Sequence, residues 1–162
     1  MEQCITYGSV YGTTKRYAEA FAEQTGTVCL NYEELTALTG VRRVIHFGGL
    51  HAGGVLGLKK VLGLLPADAD LWVVTVGLVD VEDPTNIEMT RKMVRIQMPK
   101  ERYDETKSVP LRGGIDYAKL TPKSRRSARD RIVIETDEKA VDFVNPATLE
   151  PILLKPGESS KE

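Results

Sequence analysis

The sequence predicts an α/β fold, an open five-stranded parallel sheet with helices packed on both faces in three layers. Short apolar runs with the residue types of buried strands alternate along the chain with segments whose apolar residues recur at helical spacing. Such alternation is typical of a parallel sheet that is covered on both sides. The length of 162 residues suits one domain. We expect this domain to span residues 1–154 and the polar residues 155–162 to form a disordered tail.

Three strands are predicted in the first half of the chain. Ile5 and Tyr7 alternate with Cys4 and Thr6, as in a short strand, and the apolar residues that follow at three- and four-residue spacing indicate a helix that stops at Gly26. The predicted elements are a strand around residues 4–7, a helix over 15–24, a strand over 27–31, a short helical piece over 32–38 and a strand over 41–47.

Two further strands are predicted in the second half. The run 71–76 is the most strand-like in the chain because it is rich in β-branched and aromatic residues. Pro110 weakens the last strand and suggests an edge position. The predicted elements are a helix over 56–65, a strand over 71–76, a helix over 84–97, a strand over 109–115, a helix that begins at 121–122, a strand or linker over 132–134 and a helix over 137–144.

A loop of glycines and hydroxyls joins the first predicted strand to the first predicted helix. Gly8 and Gly12 allow a tight turn, and Ser9, Thr13 and Thr14 place hydroxyl groups beside the N–H groups of a helix start. The positive end of a helix favours a dianion, so this loop predicts a phosphate site. A plain strand-to-helix turn capped by Ser or Thr is the alternative interpretation.

The pattern Ser9-x-Tyr11-Gly12-x-Thr14 resembles the phosphate loop of flavodoxins, Ser/Thr-x-Thr-Gly-x-Thr, with Tyr11 in place of the middle Thr. The resemblance implies a flavodoxin-like fold of the three-layer kind predicted above. It also implies FMN as the cofactor, with its phosphate held by backbone amides and hydroxyls. Neither of the rival patterns G-x-x-x-x-G-K-S/T and G-x-G-x-x-G follows this strand.

Three loops leave the carboxyl ends of predicted strands, where open parallel sheets bind ligands. They cover residues 9–14, 48–54 and 77–84, and the resemblance implies that the last two bracket the isoalloxazine ring. Flavodoxins usually stack a Trp or Tyr on that ring, and these two loops contain neither. The predicted cofactor-binding residues are Ser9, Val10, Tyr11, Gly12, Thr13, Thr14, Gly48, Gly49, Leu50, His51, Ala52, Gly53, Gly77, Leu78, Val79 and Asp80.

The segments 45–51, 76–79 and 111–117 are similar to those of the bacterial flavodoxin-like, quinone-dependent protoporphyrinogen oxidases. This resemblance implies an FMN-dependent oxidation of a protoporphyrinogen-like substrate with a quinone-type acceptor. His51 and Arg112 are the predicted catalytic residues. His51 would donate to the flavin or carry a proton, and Arg112, with the basic cluster over 125–131, would bind carboxylates of the substrate.

Two other functions fit the same sequence. One is a flavodoxin that carries electrons between redox proteins, and the other is a flavodoxin-fold interaction module that has lost its flavin. A small molecule or a redox protein is therefore the expected electron donor or acceptor. The sequence leaves the oligomeric state open.

Basic charge is concentrated in residues 91–131, which hold thirteen Lys or Arg against five Asp or Glu in a chain of net charge −1. Such a segment suits an anionic membrane surface, an acidic substrate or an acidic partner, or it is simply a solvated surface. No nucleic-acid-binding motif accompanies it, so we expect no nucleic-acid partner. Without a secretory leader or a Cys or His cluster, we expect a reducing cytoplasmic location, optionally peripheral on the inner membrane face, and no metal site.

Overall fold

The computed structural model describes residues 2–10, 12–51, 54–78 and 82–112, together with the backbone of 115–116 and 140–141. Its central sheet contains five parallel strands in the order β2-β1-β3-β5-β6, and a short strand, β4, is added antiparallel to β3. The strands are β1 (Gln3–Gly8), β2 (Val28–Asn31), β3 (Arg43–His51), β4 (Gly54–Val55), β5 (Asp70–Gly77), β6 (Ser108–Arg112), β7 (Ile115–Asp116) and β8 (Ala140–Val141).

Helices lie on both faces of this sheet, as the sequence predicted. They are α1 (Thr13–Thr25), α2 (Leu58–Leu64) and α3 (Pro84–Gln97), with 3₁₀ turns at Tyr32–Glu34, Lys100–Arg102 and Glu105–Lys107. The carboxylate of Asp83 accepts a hydrogen bond from the backbone of Thr85 at 2.9 Å, and Pro84 occupies the first turn, so α3 starts with both usual signals.

The core consists of two apolar layers, one on each face of the sheet. On one face, Tyr17 and Phe21 of α1 pack on Ile5, Ile45 and neighbouring residues of the sheet. The other layer joins residues of α2 and α3 to the alternate side chains of the same strands, namely Leu58, Val61, Val94, Cys4, Val44, Leu71 and Val73. Strand side chains alternate between faces, so each buried strand supplies both layers.

Several element boundaries differ from the prediction. β3 continues to His51 instead of ending at residue 47, and only Tyr32–Glu34 of the predicted piece over 32–38 is helical. The last parallel strand ends at residue 112, and residues 140–141, predicted to be helical, pair with β7. The predictions for 121–122, 132–134 and the tail over 155–162 lie outside the described residues, and the single-domain boundary at 154 stays a prediction.

A single carboxylate joins the amino ends of neighbouring strands in the sheet. Asp70 at the start of β5 accepts a hydrogen bond from the indole of Trp72 at 3.2 Å, forms an ion pair with Arg43 at 3.8 Å, and contacts the ammonium of Lys107. The Arg43 guanidinium also lies 5.6 Å from the centroid of the Trp72 ring. These contacts join the amino ends of β3 and β5 to the segment that enters β6.

A tight turn after β4 covers the carboxyl ends of β1 and β3. A side-chain carbon at Gly8 would lie 2.5 Å from the carbonyl oxygen of Leu56, and one at Gly48 would collide with the side chain of Val55. The Leu56 N–H donates to the carbonyl of Gly49 at 2.9 Å. The prediction that a loop starts at Gly48 is therefore wrong. This residue is buried in β3, where the absence of a side chain leaves room for the turn after β4.

We expect Gly8→Ala to lower the free energy of unfolding by roughly 2 kcal/mol, because the new methyl group meets backbone that has no room to move. Gly63→Ala is the matched control. A side chain at Gly63, in α2, meets nothing within 4 Å, and alanine favours a helix, so this change should raise stability by roughly 0.5 kcal/mol. Urea unfolding of both variants measures the difference; equal effects would contradict the close packing at Gly8.

Candidate functional site

The direction of strand order reverses between β1 and β3. The chain passes from β1 outward to β2 on one side and then returns to β3 on the other side of β1. Connections leave the carboxyl ends of β1 and β3 in opposite directions, so a crevice forms there, and open α/β sheets bind their ligands at this point. Ser9 and Val10 follow the end of β1, and Val10 is 48% exposed.

The amino end of α1 opens at this crevice. Gly12 precedes the helix with a left-handed backbone (φ 97°, ψ −14°), and no side chain caps the helix start. The first backbone N–H groups of a helix have no partner within it, so they give this end a partial positive charge. The first turn of α1 contains no acidic residue and carries Lys15 and Arg16. An anion would therefore be stabilised here.

Ser9 stabilises the turn that leads into α1. Its hydroxyl oxygen accepts a hydrogen bond from the backbone N–H of Gly12 at 3.0 Å. The N–H of Gly12, predicted as a possible phosphate donor, is thus used within the loop, whereas the hydroxyl hydrogen of Ser9 can still be donated to a ligand. Gly12 supplies the backbone conformation of the turn.

Thr14 connects the first turn of α1 to β3. Its side chain is buried, and its hydroxyl oxygen lies 3.0 Å from the point where Gly49 would carry a side-chain carbon. A side chain at position 49 would force Thr14 to shift by a few tenths of an ångström, so this close approach favours glycine there. The predicted phosphate loop and the predicted middle segment are therefore in contact in the fold.

The second and third predicted segments also meet. Leu50 covers Gly77, because a side-chain carbon at Gly77 would lie 2.7 Å from a methyl group of Leu50. His51 is exposed and pairs with Gly54 in the hairpin of β3 and β4, and Leu78 is half-buried. Of the predicted site residues, Tyr11, Ala52, Gly53, Val79 and Asp80 lie outside the described residues.

Arg112 ends β6 at the same edge of the sheet, in register with Gly77. Its backbone carbonyl accepts a hydrogen bond from the hydroxyl of Tyr17 at 2.7 Å, so α1 is tied to the far side of the sheet. β1 and β6 are three strand spacings apart, roughly 14 Å. Arg112 and Ser9 thus lie at the same end of the sheet, three strand spacings apart. Local sequence patterns did not predict the link between Tyr17 and Arg112.

This geometry, with the strand order 2-1-3-5-6 (β4 being the added hairpin strand), agrees with the family comparison. The chain matches the family model of the flavodoxin domain over residues 4–140. It belongs to the flavodoxin domain family. The match covers most of the chain, so the predicted family is confirmed, whereas the finer resemblance to protoporphyrinogen oxidases stays a prediction.

Two solved structures are similar to this chain to different degrees. A candidate flavoprotein from Bacteroides uniformis has a TM-score of 0.51 at 13% identity, over 82% of this chain and 97% of that one. Rubredoxin oxygen:oxidoreductase from Desulfovibrio gigas has a TM-score of 0.49 at 16% identity, over 80% of this chain and 33% of that one. At 13% identity, the first of these structures shows a similar fold and nothing more. Among curated proteins, none matches this sequence.

Within the described ranges of this flavodoxin domain, no group of three or more His, Cys, Asp or Glu side chains could hold a metal ion. The same residues include no helix whose length and apolar character would let it cross a membrane. Burial raises the pKa of Cys4, and burial with a smaller effect of Glu19 raises the pKa of Cys29 to about 11. Both thiols are thus protonated at neutral pH and are poor nucleophiles.

His46 holds the turn after β4 against the carboxyl ends of β1 and β3. Its Nε2 lies 2.8 Å from the carbonyl oxygen of Leu56, which only accepts, so Nε2 carries the proton. Nδ1 then accepts from the hydroxyl of Thr6 at 2.8 Å. Burial lowers the pKa of His46 to about 4, opposed by the hydrogen bond to Leu56. The ring is therefore neutral at physiological pH and has a structural role.

The depressed pKa of His46 predicts a loss of stability in acid. The unfolded chain takes up the proton near pH 6.5, whereas the folded chain resists it down to about pH 4. The neutral His46 ring should thus contribute its full stabilisation above pH 6.5. Between pH 6.5 and 4, the free energy of unfolding should fall by about 3 kcal/mol.

Unfolding of His46→Gln and His51→Gln across this pH range tests this prediction. His51 is the only other histidine in the chain and is exposed. His51→Gln should follow the unchanged protein at every pH, while the gap between His46→Gln and the unchanged protein should narrow toward acid. Parallel curves for all three proteins would refute the assignment.

Proposed function

We propose that this protein binds FMN and acts in oxidation and reduction. The observation that carries the proposal is the amino end of α1, which is uncapped, free of carboxylates in its first turn and accompanied by Lys15 and Arg16 at the strand-order crevice. A helix amino end favours an anion, and the positive charges of Lys15 and Arg16 add to this preference, although Lys15 also pairs with Glu19 at 4.0 Å. A terminal phosphate suits such an end.

The residues around this helix end would hold the phosphate. The N–H groups of the first turn and the hydroxyl hydrogen of Ser9 are the donors, and Lys15 contributes charge at longer range. Gly12 sets the direction of the turn. A monophosphate suits one helix end, and the dinucleotide pattern is absent, so FMN is preferred to FAD.

The segments after β3 and β5 would border the flavin ring. Neither segment contains Trp or Tyr. Trp72, the only tryptophan of the chain, is buried in the core beneath α1, and Tyr32 packs on Gly57. These two segments therefore offer no Trp or Tyr to stack on the ring, which favours an oxidoreductase over a carrier that shields its flavin.

Bound FMN supplies the electron-transfer chemistry of the reaction, and the protein positions the reactants. His51, exposed on the hairpin beside the crevice, would hold or move a proton. Arg112 would bind a carboxylate of the organic substrate, since a guanidinium pairs with carboxylates through two parallel hydrogen bonds. We propose a porphyrinogen-like substrate with carboxylate groups and a quinone-type acceptor.

Gly12→Ala should weaken FMN binding roughly tenfold, because alanine disfavours the left-handed turn by about 1 to 2 kcal/mol. The matched control is Gly26→Ala at the other end of α1, where the glycine is also left-handed (φ 64°) and equally unobstructed. Both variants should lose similar stability. Titration of the unchanged protein and the variants with FMN, followed by flavin fluorescence, gives the affinities.

Two outcomes would count against FMN binding at this end of α1. If the unchanged protein stays colourless in excess FMN, the cofactor proposal fails. If Gly12→Ala and Gly26→Ala bind FMN equally well, FMN does not use the amino end of α1.

Arg112→Gln tests the substrate proposal separately. With FMN bound, we expect KM for a porphyrinogen to rise roughly tenfold while the affinity for FMN is unchanged, because one charged carboxylate contact is lost. Lys59→Gln, an exposed change on α2, should leave both values unaltered. A flavin-loaded protein that does not oxidise the porphyrinogen with a quinone acceptor would instead point to an electron carrier.

A further inference from the structure

The outward face of α3 carries apolar side chains that nothing in the described part of the chain covers. Met89 is 53% exposed and Ile96 is 71% exposed, and Met93 between them is half-buried. These residues follow the spacing i, i+4, i+7, so they form one stripe along the helix. Thr90 and Val94 are buried on the opposite side, against the sheet.

A shallow apolar depression adjoins this stripe near the start of α3. It is lined by Pro84, Thr85, Glu88, Met89 and Lys92. Ile96 lies two helical turns beyond Met89, outside the depression, and projects into solvent. One helix face therefore carries both an exposed apolar side chain and a depression that could receive one of the same kind.

Charges beside the stripe change sign along the helix. Glu88 lies near the start, and Lys92 and Arg95 follow on the same edge at i+4 and i+7. All three are exposed, and Arg95 also lies 6.0 Å from the centroid of the Tyr103 ring. If two such helices met in parallel, like charges would face each other. In an antiparallel pair, Glu88 of each helix faces the basic end of the other.

We propose that α3 is the contact of a homodimer, in which two copies pair antiparallel about a two-fold axis near Lys92 and Met93. In this register Ile96 of each copy lies opposite Met89 of the other and enters its depression. The contact is self-complementary, as a two-fold interface requires. One helix face is smaller than the surface buried in tight complexes, so the dimer is weak and forms in the micromolar to millimolar range.

The charges along α3 favour a second copy of this chain, rather than a membrane, as the partner that covers the apolar stripe. Basic and apolar residues alone would suit anionic lipid. The same surface, however, begins with Asp83 and Glu88, both exposed, which anionic headgroups repel. In an antiparallel second copy, the acidic start of each helix faces the basic end of the other, so both ends meet opposite charge.

Sedimentation velocity of the full chain over a range of concentrations tests the proposal. The unchanged protein should shift from monomer to dimer as concentration rises. Ile96→Asp should remain monomeric, because it would bury a charge without a partner. The matched control is Val28→Asp on the edge strand β2, an exposed apolar residue away from α3 (46% exposed), which should dimerise normally. Thermal unfolding at low concentration checks that all three proteins are folded.

Charge reversal tests the antiparallel direction. Glu88→Arg should weaken the dimer roughly tenfold at low salt, and the double variant Glu88→Arg with Arg95→Glu should recover most of the loss. Vesicles with anionic lipid provide the competing outcome. A chain that stays monomeric at every concentration overturns the proposal, whether or not it floats with vesicles, and so does dimerisation that persists undiminished in Ile96→Asp.

Discussion

The close contact between the turn after β4 and the ends of β1 and β3 is the constraint on which the rest of this structure depends. Gly8 and Gly48 lie side by side in the sheet, and both positions have room for the turn only because neither has a side chain. His46 then holds Leu56 in place by donating from Nε2 to its carbonyl, while the neutral Nδ1 accepts from the hydroxyl of Thr6. The turn is thereby packed against the carboxyl ends of β1 and β3, where the strand order reverses.

The amino ends and the carboxyl ends of the parallel strands differ in the contacts that they make. The amino edge is tied by Asp70 to Arg43, Trp72 and Lys107, in contacts that saturate one carboxylate. The carboxyl edge consists of glycine-rich turns, an uncapped helix end and exposed side chains such as Val10 and His51. The amino ends of the strands are thus joined by ionic contacts, and the groups available to a ligand lie at the carboxyl ends, where open α/β sheets bind their ligands.

The amino end of α1 lacks two features that would stabilise a helix, as a proposed binding site for an anion would require. The helix lacks a side-chain cap and an acidic first turn, and both would normally stabilise it. Burial of Tyr17, Ala18 and Phe21 offsets this loss, and the hydroxyl of Tyr17 anchors the helix to β6. A ligand bound at this end would add stability in proportion to its concentration over its dissociation constant.

The sequence alone determined the layered α/β fold, because alternating apolar runs such as residues 71–76 and helical spacing such as Tyr17 to Phe21 are local properties of the chain. It also predicted a phosphate site at the loop around Gly12, since a strand, a glycine turn and a helix start are adjacent in sequence. Only the tertiary structure decided that Gly48 belongs to a strand, that His46 bonds Thr6 and Leu56, and that Tyr17 reaches Arg112. Those contacts join residues up to 95 positions apart, and no local pattern specifies which distant groups will meet.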